Sequence, residues 1–316
     1  MLRIVLAILL TLAASAASAQ YPTRPVKLIV GFAAGGPTDI LTRHIARYLT
    51  DRLGQQFVVE NKPGATGNIA TDYVINQPPD GHTVLVTTTA NAINMTFLPK
   101  TAANVLRDME PVAGLASFTY LMLVHPSVPA KTVAEFIAYA KANPGKVNFA
   151  SGGIGSSNQL AAELFKSMTG TELTHVPYRG NAAAYADLLS GNIQLIFADV
   201  ASGLPHAQSG ALRALGVTAP TRLATLPDIP AIAETVPGYE ANGWYGFAAP
   251  KGTPADVVAK LNDAISKAVQ LPEVQERFKS FGVIPRTASP KKVNEMTAEE
   301  IARWTPVIKD NNIRAD

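Results

Sequence analysis

Cysteine is absent from this chain of 316 residues. Disulfides, thiolate nucleophiles, iron–sulfur clusters and cysteine-ligated zinc are therefore excluded. Charged residues are scarce at 16%, whereas hydrophobic residues make up 47%, which is not the balance of a disordered chain. The net charge is only +3, and lysine and arginine form no run that could follow a phosphate backbone. We therefore expect no nucleic-acid partner.

Motifs for metals, nucleotides and hydrolysis are also missing. No two of the five histidines lie three to five residues apart, so we expect no metal site, and we expect no cofactor. The glycine-rich turns lack the Gly-Lys-Ser/Thr of a P-loop and the last glycine of a dinucleotide fingerprint. There is neither a Gly-x-Ser-x-Gly elbow nor a His-Glu-x-x-His sequence. We expect no catalytic residues, although an exported hydrolase that uses a serine of residues 151–158 remains the alternative.

The first 19 residues have the pattern of an export signal. Arg3 gives a short positive segment, residues 4–12 are apolar, and small residues lead to Ala17-Ser18-Ala19. The apolar stretch is shorter than the roughly 20 residues of a membrane-spanning helix. This pattern predicts cleavage after Ala19 and a mature chain that works outside the cytoplasm.

Strand-like and helix-like segments alternate along the mature chain. Residues 26–30, 56–60 and 83–88 are typical of buried strands, and residues 37–53 and 69–77 are typical of helices. This order predicts a parallel sheet with helices on both faces. The second half repeats this order of strands and helices. Its predicted strands are residues 120–124, 147–150, 193–197, 212–217 and 243–248. Its predicted helices are residues 133–143, a helix that ends at Gly170, and residues 182–189, 255–270, 272–281 and 290–309.

Two of the strands run into a glycine-rich turn that precedes a helix. The first glycine turn is residues 31–39, and the second glycine turn is residues 151–158. Each presents backbone N–H groups at a helix N-terminus, which is a favourable place for an anion. Either turn alone could be a tight connection, but one turn in each half, beyond the carboxyl ends of strands, predicts a shared anionic ligand.

Six segments between residue 22 and the C-terminus carry a family pattern. They are FAAGGPTD at 32–39, ENKPGATGNI at 60–69, PPDG at 78–81, VPYRG at 176–180, LPDIP at 226–230 and WYGFAAP at 244–250. Taken in order, these segments resemble the Bug family, the substrate-binding proteins of tripartite tricarboxylate transporters.

The resemblance implies a periplasmic, two-lobed α/β clamshell with the type II periplasmic-binding-protein topology. Each lobe would be a mostly parallel sheet flanked by helices, with the ligand cleft between the lobes. Residues 20–120 and 238–316 would form lobe 1, and residues 121–237 lobe 2. The implied ligand is a small carboxylate, which could be a dicarboxylate, a tricarboxylate, an amino acid or an aromatic acid. The implied partners are the membrane subunits of a tripartite tricarboxylate-type transporter. We expect a monomer, and a receptor that feeds a sensor kinase remains open.

The expected ligand-binding residues lie in both glycine turns and at other strand ends. The resemblance implies that Asp199 occupies the position at which amino-acid-binding members of the family recognise the ammonium group of the ligand. Two departures from the family pattern leave the ligand open: Ala34 stands where proline is usual, and Asn158-Gln159 stands where Ser-His is frequent. The full expected set is Phe32, Gly35, Gly36, Thr38, Thr89, Asn91, Gly155, Ser156, Ser157, Asn158, Tyr178 and Asp199.

Overall fold

The structure, a computed structural model, describes residues 21–98, 103–178 and 181–314. The expected signal peptide and its cleavage point after Ala19 lie outside these residues. In the part of the chain that is described, no helix has both the length and the apolar character needed to cross a bilayer.

Within the described residues, eleven strands form two separate sheets. The first sheet has the strand order β11-β4-β10-β3-β1-β2, and the second has the order β7-β6-β8-β5-β9. This arrangement confirms the predicted α/β fold class, whereas the lobe boundaries stay a prediction. The strands are β1 (Val26–Val30), β2 (Phe57–Asn61), β3 (Thr83–Thr88), β4 (Met109–Phe118), β5 (Tyr120–Val124), β6 (Val147–Ser151), β7 (Leu173–Pro177), β8 (Leu195–Asp199), β9 (Arg213–Val217), β10 (Gly243–Pro250) and β11 (Val283–Ala288).

Both sheets are mixed, and most strands of each sheet run in one direction. In the first sheet β1 runs parallel to β2 and β3, but β10 is antiparallel to β3 and β4, and β11 is antiparallel to β4. In the second sheet β6 runs parallel to β7 and β8, but β5 is antiparallel to β8 and β9. The antiparallel pairings of β5 and β10 follow from the chain path, because each of these strands enters its sheet from the other sheet rather than through a helical crossover.

Helices flank the two sheets and cover their apolar residues. All six residues of β3 and all eight of β10 are buried, as expected for strands covered on both faces. The helix α1 packs against β1 and β2, and α6 packs against β6 and β8. The helices are α1 (Pro37–Leu53), α2 (Asn68–Ile75), α3 (Thr89–Phe97), α4 (Val105–Asp108), α5 (Val133–Ala142), α6 (Ser157–Thr169), α7 (Asn181–Leu189), α8 (Val200–Gln208), α9 (Ala255–Val269), α10 (Pro272–Ser280) and α11 (Pro290–Asp310).

The hydroxyl of Thr218 ties together the two chain crossings between the sheets. Thr119 alone separates β4 from β5, and the chain returns to the first sheet after Ala241. Thr218 Oγ1 accepts the Tyr120 N–H at 2.9 Å and donates to the Ala241 carbonyl at 3.0 Å. It also lies 2.8 Å from Thr119 Oγ1. Because Thr218 is completely buried, none of these groups can exchange its partner for water without opening the connection.

We predict that Thr218→Val lowers the free energy of unfolding by about 2–5 kcal/mol, because it leaves buried polar groups of both crossings without a partner. Thr218→Ser retains the hydroxyl and is the matched control, with a distinctly smaller loss. Urea unfolding followed by circular dichroism measures both variants. Equal losses for valine and serine would show that the methyl group, and not the hydroxyl, supports the crossings.

Candidate functional site

The first glycine turn uses its glycine N–H internally. Gly35 has a φ of +81°, a left-handed conformation that glycine adopts without steric cost. Its N–H donates to Asp39 Oδ2 at 2.9 Å and so does not point outward. The first N–H groups of α1, at Thr38 and Asp39, have no acceptor within the helix.

The carboxylate of Asp39 holds the first glycine turn in shape. Arg43 binds it through Nε at 3.0 Å and through Nη2 at 2.9 Å, and Asn61 Nδ2 donates to its Oδ1 at 3.0 Å. Asn61 Nδ2 also donates to the Phe32 carbonyl at 3.0 Å. Burial alone would raise the pKa of Asp39, but the hydrogen bonds from Arg43, Gly35 and Asn61 outweigh burial and hold the pKa below its ordinary value.

The second glycine turn repeats this device with an amide. The Gly155 N–H donates to Gln159 Oε1 at 2.7 Å, again four residues further along the chain. Asn158 Oδ1 accepts the Gly152 N–H at 3.3 Å. Ser156 Oγ donates to the Gly153 carbonyl at 2.6 Å. The turn is thus held by hydrogen bonds within itself and to the first residues of α6.

Four hydroxyl groups lie at the two glycine turns, a phenol beside a side-chain hydroxyl at each turn. The phenol of Tyr245 is hydrogen-bonded to Thr38 at the first turn. The phenol of Tyr120 lies 2.6 Å from Ser157 Oγ at the second turn. Since Tyr245 belongs to β10 and Tyr120 to β5, the two phenols come from different sheets.

Asp199 lies at the end of β8, and its charge acts on both phenols. It is the strand partner of Tyr120. Burial and then the negative charge of Asp199 raise the pKa of Tyr120 and of Tyr245 well above the ordinary value. Burial and the charge of Asp199 also raise the pKa of Tyr185 to about 12, although a hydrogen bond with Ser202 acts in the opposite direction. Asp199 therefore acts on two phenols, one beside Thr38 and one beside Ser157. Neither tyrosine was among the expected ligand-binding residues.

Three of the expected site residues make internal contacts instead. Thr89 Oγ1 is completely buried and accepts the Trp244 N–H at 3.0 Å. Asn91 is buried at the start of α3, where its Oδ1 accepts the Thr88 N–H at 2.7 Å. The phenol of Tyr178 donates to Asp187 Oδ2 at 2.6 Å. These side chains stabilise the surrounding structure, and these hydrogen bonds join them to Trp244, Thr88 and Asp187 rather than to Tyr120 or Tyr245.

The two halves also touch beside the second glycine turn. Phe97, at the end of α3, packs directly on Gly155, where an added Cβ would lie only 2.4 Å from the phenylalanine ring. Gly155 has a φ of +78°, so both space and backbone conformation require glycine here. The contact brings the end of α3, which follows β3 of the first sheet, against a turn of the second sheet.

The geometry argues against a serine hydrolase. Ser151 Oγ lies 2.6 Å from His175 Nε2, which is the distance expected for a nucleophile and its base. However, Ser151 is completely buried, and His175 Nδ1 faces the amide of Gln159 at 3.2 Å rather than a carboxylate. Burial and, to a smaller degree, Lys166 lower the pKa of His175 to about 4. No cluster of three or more metal-ligating side chains occurs among the residues that the structure describes.

Asp39→Asn should destabilise the protein at pH 7 by about 1–3 kcal/mol, because hydrogen bonds to a charged carboxylate are lost. A depressed pKa adds stability above the ordinary value of 3.8, and this stability is lost as the pH falls through the lowered pKa. The difference between wild type and variant should therefore shrink below about pH 4. Urea unfolding at pH 7 and pH 3 measures it.

Asp263→Asn is the control, because it removes an exposed carboxylate that pairs only with Lys267 across one turn of helix. We expect this variant to change the stability little at either pH. A difference for Asp39→Asn that is the same at pH 7 and pH 3 would contradict the charge-based account of the first glycine turn.

Comparison with known proteins finds relatives along almost the whole chain. The family described as "Tripartite tricarboxylate transporter family receptor" matches residues 41–313. BugT of Bordetella pertussis is 35% identical over 306 residues, which are 96% of this chain and 94% of BugT.

Solved structures show the same fold. The structure of R. palustris Rpa4515 with adipate has a TM-score of 0.84 and 36% identity, covering 93% of this chain and 99% of the other. MatC from Rhodopseudomonas palustris with bound malate has a TM-score of 0.80 and 32% identity, covering 91% of this chain and 100% of the other.

Proposed function

Because the chain belongs to the tripartite tricarboxylate transporter receptor family, as its resemblance to the Bug proteins suggested, we propose that it captures one small carboxylate in the periplasm. We further propose that it delivers the ligand to the membrane subunits of a tripartite tricarboxylate-type transporter. The family consists of solute-binding receptors rather than enzymes. The carrying observation is that each glycine turn has a tyrosine phenol from one of the two sheets beside it, Tyr245 at Thr38 and Tyr120 at Ser157.

The proposed carboxylate is bound by neutral donors. The N-termini of α1 and α6 supply backbone N–H groups and the positive end of each helix dipole. Thr38 and Ser157 add hydroxyls beside these N-termini. Arg43, which binds to the first turn, is paired with Asp39. The two solved relatives with adipate and malate support a dicarboxylate, since both of these molecules carry two carboxylates.

A panel of carboxylates tests the proposal directly. Thermal shift and calorimetry with dicarboxylates, tricarboxylates, amino acids and aromatic acids should find at least one ligand that stabilises the protein. Mass spectrometry should then recover that ligand unchanged, as expected for a receptor. Tight binding of an uncharged sugar and no carboxylate, or conversion of the ligand, would overturn the proposed function.

Gly36→Val should block a ligand that approaches the first glycine turn closely. Gly36 has a φ of −76°, and an added Cβ would lie 3.4 Å from the Ala33 carbonyl oxygen, so the fold itself accepts a side chain. The affinity for the carboxylate should fall by roughly tenfold or more, since one charge-assisted hydrogen bond is worth about 1.5–3 kcal/mol.

Gly36→Ala is the graded control for this variant. It adds one methyl group in an allowed conformation and should reduce the affinity less than valine does, while both variants keep the wild-type melting temperature within a few degrees. Calorimetry with the best carboxylate of the panel measures the series. Wild-type affinity in the valine variant would exclude Gly36 from the ligand-binding surface.

Asp199→Asn should separate two classes of carboxylate. We propose that Asp199 faces the part of the ligand farthest from the helix N-termini, where a carboxylate favours an ammonium or hydroxyl group and repels a second carboxylate. The variant should weaken the binding of aspartate and spare or improve that of succinate. Calorimetry with this matched pair measures the effect, and equal losses for both ligands would remove Asp199 from the selectivity argument.

A further inference from the structure

The side chain of Gln159 has only one possible orientation. Its amide lies between the Gly155 N–H, at 2.7 Å, and His175 Nδ1, at 3.2 Å. A backbone N–H can only donate, so the atom that faces Gly155 must be the oxygen, Oε1. The nitrogen of the amide, Nε2, therefore points at the histidine ring.

The orientation of Gln159 in turn determines the tautomer of His175. An amide nitrogen is only a donor, so Nδ1 of the imidazole must accept. A neutral histidine then carries its proton on Nε2, which donates to Ser151 Oγ at 2.6 Å. The ring is held in this position by stacking on Phe149, with the two ring centres 4.9 Å apart.

The chain of hydrogen bonds ends at the backbone of the second glycine turn. Ser151 Oγ accepts the Gly153 N–H at 3.2 Å and donates to the Gly153 carbonyl at 3.1 Å. The buried hydroxyl can do both only if the histidine donates to it rather than accepts from it. Thus one series of hydrogen bonds runs in a single direction from the Gly155 N–H to the Gly153 carbonyl, and the Gly153 N–H adds a further bond to Ser151.

We propose that Gln159 and His175 are paired positioning residues, which hold the second glycine turn in its ligand-binding shape through a hydrogen-bond chain that requires a neutral imidazole. This inference rests on the proposed function, because it assigns the shape of the turn a role in binding. It also gives Gln159 a purpose at a position where the family resemblance shows histidine: either side chain can accept from Gly155 and donate to His175.

Protonation of His175 would break the chain at a defined place. A second ring proton, on Nδ1, would oppose the Nε2 hydrogens of Gln159. Lys166, on α6, is the cation that acts on the ring, and it pairs with Glu163 on the same helix at 2.7 Å. Burial and this lysine both favour the neutral ring, in agreement with the direction of the hydrogen bonds.

Three substitutions of Gln159 change the chain in different ways. Gln159→His retains one acceptor and one donor and should preserve the turn. Gln159→Leu is close in size and removes both hydrogen bonds. Gln159→Glu accepts at both ends, so it should draw a proton onto His175 Nδ1 and raise the pKa of this histidine.

Nitrogen NMR of histidine-labelled protein tests the chain without any ligand. The wild-type His175 resonances, assigned with the variant His175→Asn, should show a proton on Nε2 and none on Nδ1 at pH 7. Gln159→Glu should shift the titration of this ring to higher pH, and Gln159→His should leave it neutral at pH 7. A wild-type ring protonated on Nδ1, or a Glu variant with an unchanged titration, would overturn the proposal.

Binding of malate connects the chain to function. Gln159→Leu should weaken binding by roughly tenfold, the effect of losing about one positioning hydrogen bond, while Gln159→His stays within about threefold of wild type. Wild-type affinity in the leucine variant would overturn the positioning role. If wild-type protein binds no carboxylate at all, the proposed function fails, and the NMR result alone then decides whether the hydrogen-bond chain exists.

Discussion

The site depends on a backbone N–H that each glycine turn directs inward. Gly35 donates to Asp39 and Gly155 donates to Gln159, in each case to the side chain four residues later. The bond closes the turn over the first turn of the helix, whose first N–H groups have no acceptor within the helix. Without this hydrogen bond, the glycine would lose the contact that fixes the turn relative to the N-terminus of the helix.

The two turns solve the same problem with different charges. A carboxylate near a proposed anion site costs Coulomb energy, and in the first turn Arg43 and Asn61 offset that cost by binding Asp39. The second turn uses a neutral amide, which introduces no repulsion but needs its other end occupied, and His175 occupies it. The halves of the protein are therefore alike in geometry but not in electrostatics.

Much of this fold follows from local sequence signals. The predicted helix 37–53 agrees with α1, because Pro37 suits a first turn and Gly54 ends the helix at a φ of +71°. The strand β4 was missed, since Pro111 and Gly114 disrupt the alternation that marks a strand. Thr89 and Asn91 follow a strand end, as ligand-binding residues often do. In the structure, however, Asn91 accepts the Thr88 N–H at the start of α3, and Thr89 accepts the Trp244 N–H of β10. Tyr120 was recognised only as part of a strand, because a hydroxyl contact with Ser157 depends on how β5 and α6 pack and no spacing encodes it.

Neutral recognition of an anion has a consequence for selectivity. A lysine or arginine attracts any carboxylate from many directions, whereas a helix N-terminus stabilises an anion only within its first turn. Two such N-termini, if they share one carboxylate as proposed, would accept it only in a restricted position. The rest of the ligand must then extend along the space that remains, beside Asp199. Shape and the charge of that one residue, rather than overall attraction, would therefore decide which carboxylate is kept.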